Sequence, residues 1–398
     1  MSCRAKFIFG NEELQYRFND DHPFNPKRLE LTVDLLIKTG ALSSASIVPP
    51  RQATIEELER VHLSEYIQAV QALSRPDPDE HAIREADRWG LMDEDTPYFP
   101  GMHEITSLLV GGSLEAVDTV MSGQSDHALH LGGGLHHAMP NKGGGFCVYN
   151  DASVAIAHLR SKYNARVMYI DTDVHHGDGV QWSFYTDPDV CTFSIHETGK
   201  YLYPGTGPVE ERGDGDGFGT NINLPVEPYT EDESWMDSFR EVLGKAVASF
   251  RPDVIISQHG CDAHAFDPQA HIHCSMSIYL QMPQFIHELA HKYCGGRWIA
   301  LGGGGYDIWR VVPRAWALLW LTMTDHPLAS ALSSKPLTPL APEWLARWQP
   351  ESPLPLPDTW LDPVETWEPI PRRKEISEKN RQTKEIAMLY LPDRPVEQ

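Results

Sequence analysis

No two cysteines in this sequence are spaced for a metal knuckle or a disulfide frame. The six, at positions 3, 147, 191, 261, 274 and 294, are scattered with no Cys-x-x-Cys pair. That excludes a cysteine-built zinc site and fits reduced thiols in a cytoplasm. Long apolar runs are lacking too, so no segment reads as a membrane span. Residues 1–6, MSCRAK, lack the apolar core of a signal peptide. Positive charge is in deficit: 33 Lys and Arg against 56 Asp and Glu leave a net charge of −23. This argues against a nucleic-acid partner and suits cationic ligands such as lysine-rich segments or polyamines. None of the glycine runs leads into Gly-Lys-Ser/Thr, so there is no phosphate-cradling loop. Glycines 302–305 lack the frame of a dinucleotide site, and no Gly-x-Ser-x-Gly elbow occurs.

What is present centres on Asp171-Thr172-Asp173-Val174-His175-His176-Gly177-Asp178. The apolar run 167–170 before it reads as a buried parallel strand, so the cluster sits where a strand ends. Open α/β sheets hold their sites there. Residues two apart on a strand point the same way, so Asp173 and His175 can share one metal, with Asp171 behind them. A carboxylate oxygen and a neutral imidazole nitrogen suit a zinc-like divalent ion.

Similar punctuation recurs along the chain. Apolar runs at 6–9, 128–131, 190–196, 221–224, 253–259 and 298–301 also read as strands. Between them, helical spacing predicts helices over 27–39, 54–63, 64–73, 104–121, 151–160, 180–185, 232–250, 277–293 and 309–323. The alternation predicts a parallel sheet covered on both faces. Residues 1–325 read as one domain. Residues 326–398, rich in proline, read as an extended tail wrapped on the body, with a late helix over 372–391. Several strands end in polar clusters: glycines 132–134 with His136 and His137, Asp262 after 253–259, and Tyr306 after glycines 302–305. The three glycines before His136 are expected to bring backbone close to a ligand.

These residues describe metal-assisted hydrolysis of an amide. Asp173, His175 and Asp262 leave positions on a metal for water and substrate. One histidine can take a proton, a second can stay charged, and a tyrosine hydroxyl can donate to the developing oxyanion. Asp171 and Asp178 are spare carboxylates suited to orient the histidines.

The set His136-His137, Gly145-Phe146-Cys147, Asp171 to Asp178, Pro204-Gly205-Thr206-Gly207, Asp262 and Gly302 to Tyr306 resembles the zinc-dependent histone deacetylase family. The match runs in order over roughly residues 5–325. It is most similar to the bacterial acetoin-utilization branch, with acetylpolyamine amidohydrolases as relatives. The resemblance implies an α/β arginase–deacetylase fold with a central eight-stranded parallel sheet. It implies zinc on Asp173, His175 and Asp262, with Fe2+ as the alternative ion. It makes His137 the general base and acid, paired with Asp178, and His136 its electrostatic partner, paired with Asp171. Tyr306 would polarise the acetyl carbonyl. Phe146 and Tyr203 would wall the acyl-lysine tunnel, with Gly145 and Gly304 beside the substrate. Asp95 would hold the substrate backbone, and Arg28 would lie near an internal acetate channel. A structural K+ near Asp171, Asp173, His175, Ser194 and Ile195 is implied as well. The tunnel wall of the family is often Phe on both sides, so Tyr203 leaves acyl-chain preference open. The implied substrate is acyl-lysine on a protein, such as a metabolic enzyme like an acetyl-CoA synthetase. A small acetylated amide is the alternative. A two-metal ureohydrolase would need Asp-x-His-x-Asp, and position 177 is Gly. A non-catalytic scaffold would be expected to have lost one of these groups, and all are present.

Overall fold

The computed structural model describes residues 4–391; Cys3 and half of the stretch read for a leader lie outside them. Eight strands form one all-parallel sheet. They are β1 (Ala5–Ile8), β2 (Ile47–Val48), β3 (His127–His130), β4 (Val167–Asp171), β5 (Val190–Glu197), β6 (Asn221–Val226), β7 (Val254–Gln258) and β8 (Trp298–Leu301). Their order is β2-β1-β3-β8-β7-β4-β5-β6. Every residue of β3, β4, β5, β7 and β8 is buried, which explains why β4, β8 and the start of β7 are continuous apolar runs rather than alternating ones, while β3 and β5 bury polar residues as well. Strand β2 escaped the pattern because it is two residues long and sits at the sheet edge.

The helices are α1 (Lys27–Lys38), α2 (Ile55–Leu58), α3 (Ser64–Leu73), α4 (Glu80–Glu85), α5 (Met102–Met121), α6 (Asp151–Tyr163) and α7 (Asp178–Ser183) in the first half. Then come α8 (Asp232–Phe250), α9 (Met276–Cys294), α10 (Val312–Met323), α11 (Pro327–Ser334), α12 (Pro342–Trp348) and α13 (Arg373–Tyr390). The strands point alternate residues to two faces. Val167 and Tyr169 join a core with Val117 and Ile156 of α5 and α6, whereas Met168 and Ile170 join one with α8, α9 and α10. Helix α2 is shorter than its periodicity suggested, although the Thr54–Glu57 capping box forms in both directions. Helix α7 begins at Asp178, two residues earlier than expected, so Asp178 is held by a helix rather than a loop.

The region beyond residue 325 differs from the expected extended tail. Pro327 and Pro342 occupy the first positions of α11 and α12, where a missing N–H costs nothing; proline here starts helices rather than preventing them. Trp344 and Trp348 of α12 donate to the Leu31 carbonyl (3.0 Å) and to Asp34 (2.8 Å) on α1. Asn380 of α13 donates to Thr230 (2.7 Å) and Ser234 (2.9 Å) and accepts from the Glu227 N–H (2.9 Å). Asp362 enters the interior to meet Arg314 (2.9 Å) and His264 (2.9 Å), both buried. Removing one member of a buried ion pair strands the other charge. Asp362→Ala is therefore expected to destabilise the protein by about 3–5 kcal/mol, read as a lowered urea midpoint. An unchanged midpoint would show that Arg314 finds other partners.

Candidate active site

The four central strands of the sheet, β3, β8, β7 and β4, are neighbours in that order, and each ends in one of the polar clusters. The sheet brings these distant segments to one edge. Asp173 and His175 follow β4, and Asp262 follows β7. One ligand atom from each lies within 4.8 Å of the other two. His175 Nδ1 is 3.0 Å from Asp173 Oδ1 and 3.2 Å from Asp262 Oδ2. The other carboxylate oxygens are tied back. Asp173 Oδ2 accepts from Gln258 Nε2 and from the Gly304 N–H, each at 2.8 Å, and Asp262 Oδ1 accepts from the Val174 N–H at 2.9 Å. Burial and the adjacent Asp173 push the Asp262 carboxyl above its usual range. The two buried carboxylates raise the imidazole between them to about 10, and even that cation leaves their negative charge in excess. A divalent ion on these two oxygens and one nitrogen would supply it, so the donor set fits such an ion.

Beside this cluster, the loop after β3 carries the histidine pair. His136 Nε2 and His137 Nε2 are 3.0 Å apart. His136 Nδ1 is 2.8 Å from Asp171 Oδ2, and His137 Nδ1 is 2.7 Å from Asp178 Oδ1. The two environments drive the rings apart. Burial works against a charge on His136, but Asp171 and Asp173 outweigh it and raise the imidazole to about 9. Burial and the charged His136 together lower His137 to about 4, against the pull of Asp178. Near neutral pH, one ring is a cation and its neighbour a free base, which is the split that acid–base work requires.

Across the site, the Tyr306 ring lies 5.6 Å from that of Phe146. Burial and the nearby Asp262 and Asp173 carboxylates raise the Tyr306 phenol well above its usual range, so it remains a proton donor. Phe146 adopts φ 67°, and Tyr16 donates to its carbonyl at 2.6 Å. The Tyr203 ring is 5.0 Å from His137, reached through a cis Tyr203–Pro204 bond, and Tyr203 is 46% exposed. Gly145 lies between these groups. A Cβ there would stand 2.5 Å from the His137 ring and 2.9 Å from Tyr203, so only glycine leaves both in place. Asp95 is exposed on its loop, and its carbonyl meets His22 Nε2 at 3.1 Å. Buried Arg28 donates to the Gly305 carbonyl (3.2 Å) and lies over Phe24 and Trp316. Asp171 and Ser194 are register partners on β4 and β5.

Gly304 faces the metal-ligand carboxylates, and its N–H is committed to Asp173. Of the glycines before His136, Gly134 (φ 91°) packs on the β8 loop, where a Cβ would stand 2.4 Å from the Gly302 carbonyl oxygen, and Gly133 packs on Asp151, where a Cβ would stand 2.3 Å from its carboxylate.

A histone deacetylase domain matches residues 22–323. The chain belongs to the histone deacetylase family. It is 51% identical to the acetoin utilization protein AcuC of Bacillus subtilis (strain 168), over 97% of each chain, and lies on that bacterial branch. Its fold is similar to that of an HDAC homolog from Aquifex aeolicus, with TM-score 0.82 and 26% identity over 96% of this chain and all of that one. An HDAC homolog complexed with SAHA is similar as well, with TM-score 0.80 and 27% identity over 96% of this chain and 100% of that one. The family is one of metal-dependent deacetylases, and the Asp173, His175 and Asp262 group fits that chemistry.

Within this histone deacetylase site, several groups carried no signal in the sequence. Tyr169 donates to Asp171 Oδ2 at 2.7 Å, two residues along the same strand. Asp151 accepts from the Gly134 and Leu135 N–H groups (3.0 and 2.7 Å). Asn150 donates to the His136 and Ala138 carbonyls (3.1 and 3.0 Å) while capping α6. Gln258 ends β7 as an ordinary buried strand residue, and its amide donates to Asp173 Oδ2 at 2.8 Å.

The charge split generates a pH test. Deacetylation is expected to rise as His137 loses its proton on the acid side and to fall near pH 9 as His136 loses its own. Asp171→Asn removes the main charge that holds the His136 proton, so the falling limb should move to lower pH in kcat/KM profiles. A limb that stays put would mean that His136 does not set it.

Proposed function

We propose that this protein is a zinc-dependent lysine deacylase, removing acetyl or related acyl groups from lysine side chains of proteins, with iron as the alternative ion. The observation that carries this is the charged-and-neutral histidine pair beside a three-ligand metal cluster, with a phenol donor opposite. When bound on Asp173, His175 and Asp262, the ion supplies Lewis-acid polarisation and a more acidic water. His137 takes the proton from the attacking water and returns it to the leaving amine, and Asp178 holds its ring in the working orientation. His136 stays charged and stabilises negative charge as the tetrahedral species forms. Tyr306 donates to the carbonyl oxygen as it becomes an oxyanion. Phe146 and Tyr203 flank the aliphatic stem of the acyl-lysine, and exposed Asp95 accepts from the substrate backbone. A potassium ion near Asp171, Asp173, His175, Ser194 and Ile195 would serve a structural role. A protein substrate, such as a metabolic enzyme of the acetyl-CoA synthetase kind, suits the net charge of −23, because basic flanking residues would be attracted. A small acetylated amide, such as an acetylpolyamine, is the second reading and is favoured by the same charge.

A matched panel separates them: acetyl-lysine and longer acyl-lysine peptides, acetylputrescine and acetylspermidine, with SAHA as inhibitor. Inhibitor-sensitive turnover of the peptides alone is expected; turnover of the polyamines alone would overturn the protein-substrate reading. Tyr306→Phe and His137→Ala should each lower kcat by about 100-fold or more. Tyr203→Phe should leave acetyl turnover within about threefold and shift the ranking of longer acyl chains. An unaltered ranking would remove Tyr203 from the tunnel wall.

A further inference from the structure

We infer that His127, His287 and His291 form a second metal site, a three-imidazole clamp for a late first-row divalent ion at the opposite edge of the sheet from the active site. His127 begins β3, and so lies at the strand end away from the catalytic loops. His287 and His291 are one turn apart on α9, which puts both rings on one face of that helix. The three rings converge through the same kind of atom. His287 Nε2 is 3.0 Å from His127 Nε2 and 2.9 Å from His291 Nε2, and one ligand nitrogen from each ring lies within 4.8 Å of the others.

Hydrogen bonding alone serves this arrangement poorly. A neutral imidazole nitrogen offers either one proton or one lone pair. His287 Nε2 therefore cannot make a full bond to both neighbours. Three charged rings at this separation would repel strongly, and burial together with His287 and His291 lowers His127 far below its usual value. A cation that accepts three lone pairs resolves the mismatch. Zinc bonds to imidazole at about 2.0–2.1 Å, so tetrahedral ligands stand about 3.3 Å apart, and small ring movements reach that spacing. Asp325 Oδ1 is 3.9 Å from His287 Nδ1, a negative charge at ion-pair distance from the ring. Trp298 walls the inner side, 5.5 Å from His127 and 5.9 Å from His287. His291 is exposed, so one coordination position opens to water. All-nitrogen donors favour Zn2+, Co2+, Ni2+ or Cu2+ over Mg2+ or Ca2+. Bound there, the ion would tie α9 to the start of β3.

The test is zinc stoichiometry of tag-free full-length protein, dialysed against micromolar Zn2+ and assayed by elemental analysis. His287→Ala/His291→Ala is expected to hold one equivalent fewer than wild type, with kcat/KM for deacetylation within twofold. Asp173→Ala reports the catalytic ion separately and should keep the histidine-bound equivalent. Failure of the zinc reading of the active site would thus leave the double variant's loss of one equivalent intact. Equal stoichiometry in wild type and the double variant would overturn the second site. Should circular dichroism show the double variant unfolded, His291→Ala alone decides. It should weaken zinc at this site about tenfold or more, measured against a chromogenic chelator, and an unchanged affinity would overturn the proposal.

Discussion

Four buried carboxylates, those of Asp171, Asp173, Asp178 and Asp262, are gathered at one edge of a parallel sheet, and the surroundings are arranged to hold them. Taking a charge out of water costs several kcal/mol unless it is paired and hydrogen-bonded. Each one here is answered. Asp171 receives Tyr169 and His136, Asp178 receives His137, and Asp173 receives Gln258 and two backbone N–H groups. Asp262 receives the Val174 N–H, but burial and Asp173 still push its carboxyl upward. The residual negative charge faces the point where Asp173, Asp262 and His175 converge. The fit of this group to a divalent ion and the histidine charge split follow from the same excess.

Rigidity follows from how these answers are supplied. The donors come from strands and from loops tied to helices rather than from mobile side chains. Asn150 and Asp151 at the start of α6 hold the β3 loop through its carbonyls and N–H groups, and the β8 loop closes on Asp173 through Gly304. Groups fixed before substrate arrives need no reorganisation during the reaction. Tyr203 departs from this pattern. It is half exposed, and its phenol feels the charge of the exposed Asp95 loop.

The opposite edge of the sheet and the C-terminal region carry different duties. Asp362, Trp344, Trp348 and Asn380 reach back from beyond residue 325 into α1, α8, α10 and the loop after β6. These contacts fill space that the sheet and its nearer helices leave open. His127, His287 and His291 sit where a strand begins, remote in topology from the loops that carry catalysis.

The sequence by itself determined the chemistry and most of the sheet. The run Asp171 to Asp178, the His136–His137 pair, Asp262 and Tyr306 are chemically distinctive residue types placed directly after apolar runs, and parallel strands buried on both faces are legible as such runs. Strand β2 was not, because two residues carry no period. Helices α11 and α12 were not, because proline begins a helix as readily as it breaks one. The tertiary structure alone decided which ordinary residues support the site. Gln258, Asn150 and Asp151 act through contacts with segments distant in sequence, and Tyr169 through a carboxylate whose role only the fold reveals. It also decided the charges, since His136 and His137 are adjacent and chemically identical in the chain. They differ only because folding sets one beside Asp171 and Asp173 and the other beside its charged neighbour. Electrostatic energy depends on distance in space and on burial, and neither is written in the order of residues.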